Sequence, residues 1–431
     1  MRVAVVGAGY VGLTSAVCLA HLGHDVRCAD IDADRVARLT KGEAPIHEAG
    51  LPELLAAGLA SGRLRFVVGA ADAAASAEAV LLCVQTPQGA DGAADLSFVE
   101  QVAREIAPVL GTDAVVVNKS TVPVGTTRLV ERVLSEAGVV HDGVAVASNP
   151  EFLREGQAIH DFLHPDRIVI GCDRPEAAGV LTELYAGLQA PVLVTDPASA
   201  EMIKYAANAF LATKVSFINA IANLCEAVDA DVREVALGMG YDARIGFQFL
   251  KAGPGYGGSC FPKDVAALLH TSRSAGYAFE LLAGVEEVNR AQRERIVDKI
   301  RRAVGGRLDD ATVAAWGLTF KADTDDLRES PAIAICARLV EEGARVRAFD
   351  PAAGEQVLDR VPGIEICADA YAAAEGAAAV AVLTEWDEFR WLDFERVAGV
   401  MERAAIVDAR NLLDPPAMRR LGFAYSAVGR R

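Results

Sequence analysis

The sequence is poor in positive charge. Its 42 Lys and Arg are outnumbered by 59 Asp and Glu, for a formal net charge of −17 over 431 residues. Bulk electrostatics therefore argues against a nucleic acid or an anionic membrane as partner, and an anionic ligand has to be held by a few placed cations. No apolar run approaches the length that a membrane span needs. The opening MRVAVVGAGYVG enters a strand-like run at once, without the regions of a signal or transit peptide. The eight cysteines lack paired spacing, which disfavours disulfides and a zinc site and suits reduced thiols in a cytoplasm.

What the chain does have is alternation. RVAVVGAG, DVRCADID, AVLLCVQTP and AVVVNKST are short apolar runs separated by helical patterns, the signature of a parallel sheet with right-handed crossovers. The order returns late in the chain as TVAAWGL, RVRAFDP, AVAVLTEW and AIVDARN. Between them, Asp196-Pro197 reads as an N-cap with proline at the first helical position. A run of about thirty residues without glycine or proline follows, apolar on much of its circumference and so expected to be packed on several sides. The expectation is an α/β chain of two Rossmann-like, doubly wound domains joined by a helical middle. The domains fall at 1–195, 196–304 and 305–431, each long enough to bury a core.

GAGYVG closes the first strand and opens a helix, and Asp30 ends the next strand eighteen residues after Gly12. Gly7 allows the tight turn, Gly9 lets a pyrophosphate approach, and Gly12 lets helix and strand pack closely. The helix N-terminus offers unpaired N–H groups to phosphate, and Asp30 can accept from ribose hydroxyls, which points to NAD. Thr86 and Thr121 follow later strands, where ligands of such sheets bind, although either can equally be a turn or cap. In NPEFLREG, Glu151 and Glu155 stand four apart, either facing one pocket or marking a solvated helix start. Lys204 and Asn208 share one face of the long helix. The lysine either finds a buried partner or lets its stem cover apolar surface while its head reaches water.

GPGYGGSCFPKD is the strongest chemical signal. Cys18, Cys83, Cys225 and Cys336 sit in apolar periodic segments, as core cysteines do, whereas Cys260 lies among glycines beside Lys263 and Asp264. Glycines let backbone N–H groups approach developing negative charge, and a thiolate is a strong nucleophile. A nicotinamide cofactor combined with a nucleophilic cysteine suggests oxidation of a primary alcohol to a carboxylate. The cysteine would capture the aldehyde and release the acid from a thioester. A two-electron hydroxy-acid dehydrogenase would have no use for Cys260, and a non-catalytic binding protein none for Cys260, Lys204 and Asp264 together.

GAGYVGL, VQTP, KSTVPVGT, NPEFLREG, EMIKYAANAFLATKVSFINAIANLCE, FLKAGPGYGGSCFPKD and GLTFKADTDDLRESPA run from end to end of the chain. On that set it resembles the UDP-glucose/GDP-mannose dehydrogenase family. The resemblance implies NAD-dependent, four-electron oxidation of UDP-glucose to UDP-glucuronate with release of two NADH. The same chemistry on GDP-mannose is the alternative. It implies Cys260 as nucleophile, with Lys204, Asn208 and Asp264 placing water and stabilising oxyanions, Glu151 or Glu155 handling protons, and Thr121 beside them. Gly7, Gly9, Tyr10, Val11, Gly12, Asp30, Arg35, Thr86, Thr121, Glu155, Lys263 and Arg328 would contact NAD. Glu151, Phe152, Leu153, Arg154, Glu155, Lys204, Asn208, Gly257, Lys321 and the run Phe249, Leu250, Lys251, Ala252 and Gly253 would hold the nucleotide sugar. Arg244 would serve a neighbouring subunit, and the long helix would form the core of a homodimer or higher oligomer.

Overall fold

The computed structural model describes residues 1–89, 92–139 and 143–430. They form two compact units, Met1–Ala207 with Ala266–Ala275 and Asn208–Val265 with Gly276–Arg431.

The first unit holds eight strands: β1 (Arg2–Val6), β2 (Asp25–Asp30), β3 (Leu64–Val68), β4 (Ala79–Leu82), β5 (Val115–Asn118), β6 (Ala145–Ser148), β7 (Ile168–Gly171) and β8 (Val192–Thr195). Their order in the sheet is β3-β2-β1-β4-β5-β6-β7-β8. Every pairing is parallel except a single antiparallel bridge between Ser148 of β6 and Gly171 of β7. The near-continuous apolar runs follow from burial on both faces. Val3 and Val5 of β1 pack with Leu13, Val17 and Leu55 on one face, while Ala4 and Val6 join Val80, Leu82 and Val99 on the other. Strand order reverses between β1 and β4, the switch point at which such sheets open a crevice.

The second unit repeats the plan. Strands β9 (Thr312–Trp316), β10 (Arg345–Phe349), β11 (Glu365–Ile366), β12 (Ala379–Val382), β13 (Ala405–Asp408) and β14 (Ala424–Ala427) order as β11-β10-β9-β12-β13-β14, all parallel. Both units place an acid at the end of the second strand. Asp30 accepts from Ala8 N, Asp32 N and Arg35 Nη1. Asp350 accepts from the backbone N–H of Leu318, Thr319, Ala352 and Ala353, the Thr319 hydroxyl and the Trp386 indole.

The long helix runs over 32 residues, Pro197–Val228, with Asp196 accepting from Ser199 N at 2.9 Å as the N-cap reading requires. It departs from expectation in one way. By length and composition it is apolar enough to cross a membrane, although it carries buried Glu201, Lys204, Asn208 and Asn219. Within one chain it is not covered all round: Met202, Phe210, Phe217, Leu224 and Val228 form an exposed stripe at intervals of seven or eight residues and finally four. A period near seven is the seam of a helix that packs against another helix.

Gly12 leaves no room for a side chain. A Cβ there would lie 1.7 Å from the carbonyl oxygen of Gly7, a backbone atom that no rotamer change can move away. Gly12→Ala should lower stability by at least about 1–3 kcal/mol, or about 2–4 °C of thermal midpoint per kcal/mol for a unit of this size. Scanning calorimetry with NADH titration checks this, and an unchanged midpoint with unchanged binding would contradict the close contact.

Candidate active site

In the first unit the glycine turn is built for an extended anionic group. Gly7 holds φ +102° and a Cβ on it would strike Cys83 O at 2.5 Å, whereas a Cβ on Gly9 would meet nothing within 4 Å. The open approach therefore lies at Gly9, directly before the helix Tyr10–His21 whose N-terminal N–H groups face phosphate in such turns. Val11 follows in the first helical turn. Asp30 ends β2 with Arg35 Nη1 3.0 Å away, so the acid expected to read a ribose is already oriented by a cation. Thr86 and Thr121 come together through a 2.9 Å bond from the Thr86 hydroxyl to the Thr121 carbonyl, joining the loops after β4 and β5. These residues fit a dinucleotide.

The Glu151–Gly156 segment is not a solvated helix start. The next helix begins only at Ala158, and Glu151 is buried with its Oε1 3.0 Å from Lys204 Nζ. That pair settles the lysine as well, since both side chains are about 5% exposed or less. Burial alone would push the Glu151 carboxyl up, but the Lys204 ammonium, the Leu153 N–H and the Lys119 charge outweigh it. The carboxyl is held below its ordinary 4.5 and is an acceptor at neutral pH. Phe152 lies near two cations, with the Arg167 guanidinium 3.7 Å and Lys204 Nζ 5.5 Å from its ring centre. Leu153 donates its N–H to Glu151, and Arg154 forks onto Asp161. Glu155 is half-buried in the turn that ends the segment.

In the second unit the cysteine loop is pinned on several sides. Gly253 donates to Asn219 and accepts from Gln292, while the Asn289 amide clamps both N and O of Tyr256. Gly258 donates to Arg328 O at 3.0 Å, and a Cβ on Gly257 would lie 2.2 Å from Glu329 O. The glycines are thus demanded by close backbone approach. Phe249, at φ +63°, packs its ring on Phe261, the residue after Cys260. Leu250 and Ala252 are buried, and Lys251 is exposed. Cys260 precedes the helix Phe261–Ser274 and its carbonyl accepts from Asp264 N, so the half-buried thiol stands at a helix N-terminus, where thiolate is favoured. Asp264, 1% exposed, accepts from Asn208 Nδ2 at 2.6 Å and from Lys263 Nζ at 2.7 Å.

Other thiols sit in the core. Burial pushes Cys18, Cys83 and Cys336 up to about 12 and Cys28 well above its ordinary value. None of the eight forms a disulfide.

Residues 1–189 match the NAD binding domain of the UDP-glucose/GDP-mannose dehydrogenase family, residues 198–291 its central domain, and residues 314–415 its UDP binding domain. The chain belongs to that family. It is 48% identical over 436 residues to UDP-glucose 6-dehydrogenase of Rhizobium meliloti, covering 100% of both chains. Identity to the enzyme of that name from Pseudomonas aeruginosa is 47%, covering 100% of this chain and 98% of the relative. A solved UDP-glucose dehydrogenase from Pyrobaculum islandicum superposes with a TM-score of 0.92 at 38% identity, covering 100% of this chain and 98% of that one.

Three cations expected from the family resemblance lie partly or largely in solvent. Arg244 is 89% exposed beside Asp242, Arg328 forks onto Asp326, and Lys321 stands near the Phe320 ring. Arg410 was not expected from the sequence; its guanidinium donates to Phe320 O and Leu383 O and lies 3.7 Å from a Cβ built on Gly253. Nor were the buried amides Asn219, Asn289 and Gln292, or Glu201, which accepts from Gly125 N, Thr127 N and the Thr127 hydroxyl. Paired amides three apart in an otherwise amphipathic helix, Asn289 and Gln292, were the available signal.

The Glu151–Lys204 pair has a definite pH signature. A carboxyl depressed in the folded state contributes stability that is present above its unfolded value and is lost as pH falls through the folded value. Glu151→Gln should cost about 3–5 kcal/mol near pH 7 by removing the counter-charge of a buried ammonium. The gap from wild type should narrow once pH drops below the ordinary 4.5. Urea unfolding at several pH values reads this, and a gap that is constant with pH would rule the pair out.

Proposed function

We propose that the chain oxidises UDP-glucose to UDP-glucuronate through a thioester on Cys260, releasing two NADH. The observation that carries the reading is Cys260 itself, half-buried at a helix N-terminus in a glycine loop, with buried Asp264 one turn further on. NAD bound at the glycine turn supplies the hydride acceptor for both oxidations. The sugar alcohol loses a hydride to that acceptor and its hydroxyl proton to water to become an aldehyde. Cys260 thiolate then adds to the aldehyde carbon, forming a C–S bond and an alkoxide that Lys204 and Asn208 stabilise. Loss of the second hydride restores the carbonyl as a thioester. Water deprotonated toward Asp264 adds to that carbon, the C–S bond breaks, and the thiolate is regenerated. Glu151, ionised beside Lys204, keeps the ammonium oriented, and Lys321 and Arg410 supply positive charge for the diphosphate. The two relatives described above are both named for UDP-glucose, and nothing favours GDP-mannose.

The stripe of Met202, Phe210, Phe217, Leu224 and Val228 supports a homodimer, with exposed Arg244 reaching the partner's substrate. Sedimentation should give a dimer, and Phe217→Asp should shift it toward monomer with weaker UDP-glucose binding. A wild-type monomer with full activity would remove the shared site.

Cys260→Ser should bind NAD and UDP-glucose yet lose turnover by several orders of magnitude, because a serine hydroxyl is hardly ionised near neutral pH. Wild type should release two NADH per UDP-glucose with little free aldehyde. Spectrophotometric NADH counting with calorimetric binding tests both. Near-normal turnover in the variant, or one NADH per sugar in wild type, would end the covalent mechanism.

A further inference from the structure

We infer that Tyr10 and Glu48 are positioning residues that couple occupancy of the cofactor site to the shape of the sugar-nucleotide segment. The inference rests on the reading that this unit takes NAD and that Glu151–Gly156 meets the sugar nucleotide. Tyr10 is the first residue of the helix behind the glycine turn. Glu48 comes from the loop before the helix Leu51–Ala60 and is 4% exposed. Its Oε1 accepts from Ala158 N at 2.8 Å, and its Oε2 accepts from Gly156 N at 2.8 Å and from the Tyr10 hydroxyl. The Tyr10 oxygen in turn accepts from Gly156 N at 2.6 Å.

Gly156 ends the segment at φ +81°, so its N–H direction sets how the preceding residues leave the turn. The opposite end is held by Glu151 against Lys204, and the middle by Leu153 N on Glu151 and Arg154 N on Asp161. Among the described residues, the Tyr10 hydroxyl and Glu48 together tie this segment to the first turn of the cofactor helix. A buried carboxylate receiving two amides and a phenol has little freedom, because any displacement leaves a donor unsatisfied. Displacement of the helix start by a bound pyrophosphate is therefore passed to Gly156, and displacement of the segment by a sugar nucleotide is passed back. Linkage makes that coupling reciprocal.

The test uses full-length protein and calorimetry. The Kd of UDP-glucose is measured with and without saturating NADH for wild type, Tyr10→Phe and Glu48→Gln. Wild type should show tighter binding with NADH by about 5-fold or more, in the usual range of such couplings, and both variants should bring the ratio near 1. A purely structural role would lower stability and leave the ratio alone. Amide exchange with NADH as the only ligand supplies a readout independent of the substrate. Gly156 and Ala158 should exchange about 5-fold faster in Tyr10→Phe, the effect of losing one hydrogen bond. That variant keeps the ring and serves if Glu48→Gln does not fold. A wild-type ratio of 1, an unchanged ratio in the variants, or unaltered exchange at both amides overturns the coupling. Failure of wild type to reduce NAD with UDP-glucose would instead sink the functional reading, with the exchange result standing on its own.

Discussion

A lysine ammonium in an apolar helix cannot stand alone, and much of the first unit is arranged around that constraint. Lys204 is buried, so Glu151 has to be brought to it and kept ionised. The segment after β6 that carries Glu151 also places the Phe152 ring near Arg167 and Lys204. One helical turn later in the sequence Asn208 answers a similar demand, satisfying Asp264 where a bare buried carboxylate would be untenable. The chemistry assigned to these groups needs charges held without water. Burial and pairing supply that before any ligand arrives.

Much of this was legible in the residues. The Gly7, Gly9 and Gly12 spacing with Asp30 fixes a turn, a helix start and an acceptor, because each requirement is steric or local. The cysteine among glycines stood out because its surroundings contradict those of a core thiol. Strands β3, β7, β8, β11 and β14 were not read, however. Val192, Leu193 and Val194 of β8 are exposed, so no alternation marks them as half-buried. Glu48, Glu201, Asn289 and Arg410 were missed for a different reason. Each acts on backbone far away in sequence, and a side chain that bonds to a distant amide leaves no periodic trace.

One face of the long helix is ambiguous in sequence for a related cause. Periodicity reports how apolar a surface is and says nothing about which molecule covers it. A single chain leaves Phe210, Phe217 and Leu224 in water. The same composition therefore reads as core, as membrane span or as interface, and buried Glu201, Lys204 and Asn219 weigh against the second.

The two sheets share a strand order and an acid at the same station, yet the acids are not equivalent. A carboxylate offers about four lone-pair directions, and Asp350 meets six donors from its own chain, whereas Asp30 meets three. Asp350 is in effect a rivet that closes the loops around its crevice. Grafting a glycine-rich turn after β9 would therefore not convert the second sheet into another dinucleotide reader. The rivet would first have to be drawn, and the loops it closes would come apart with it. Internal resemblance between halves of a chain is thus a poor guide to how many cofactors it can carry.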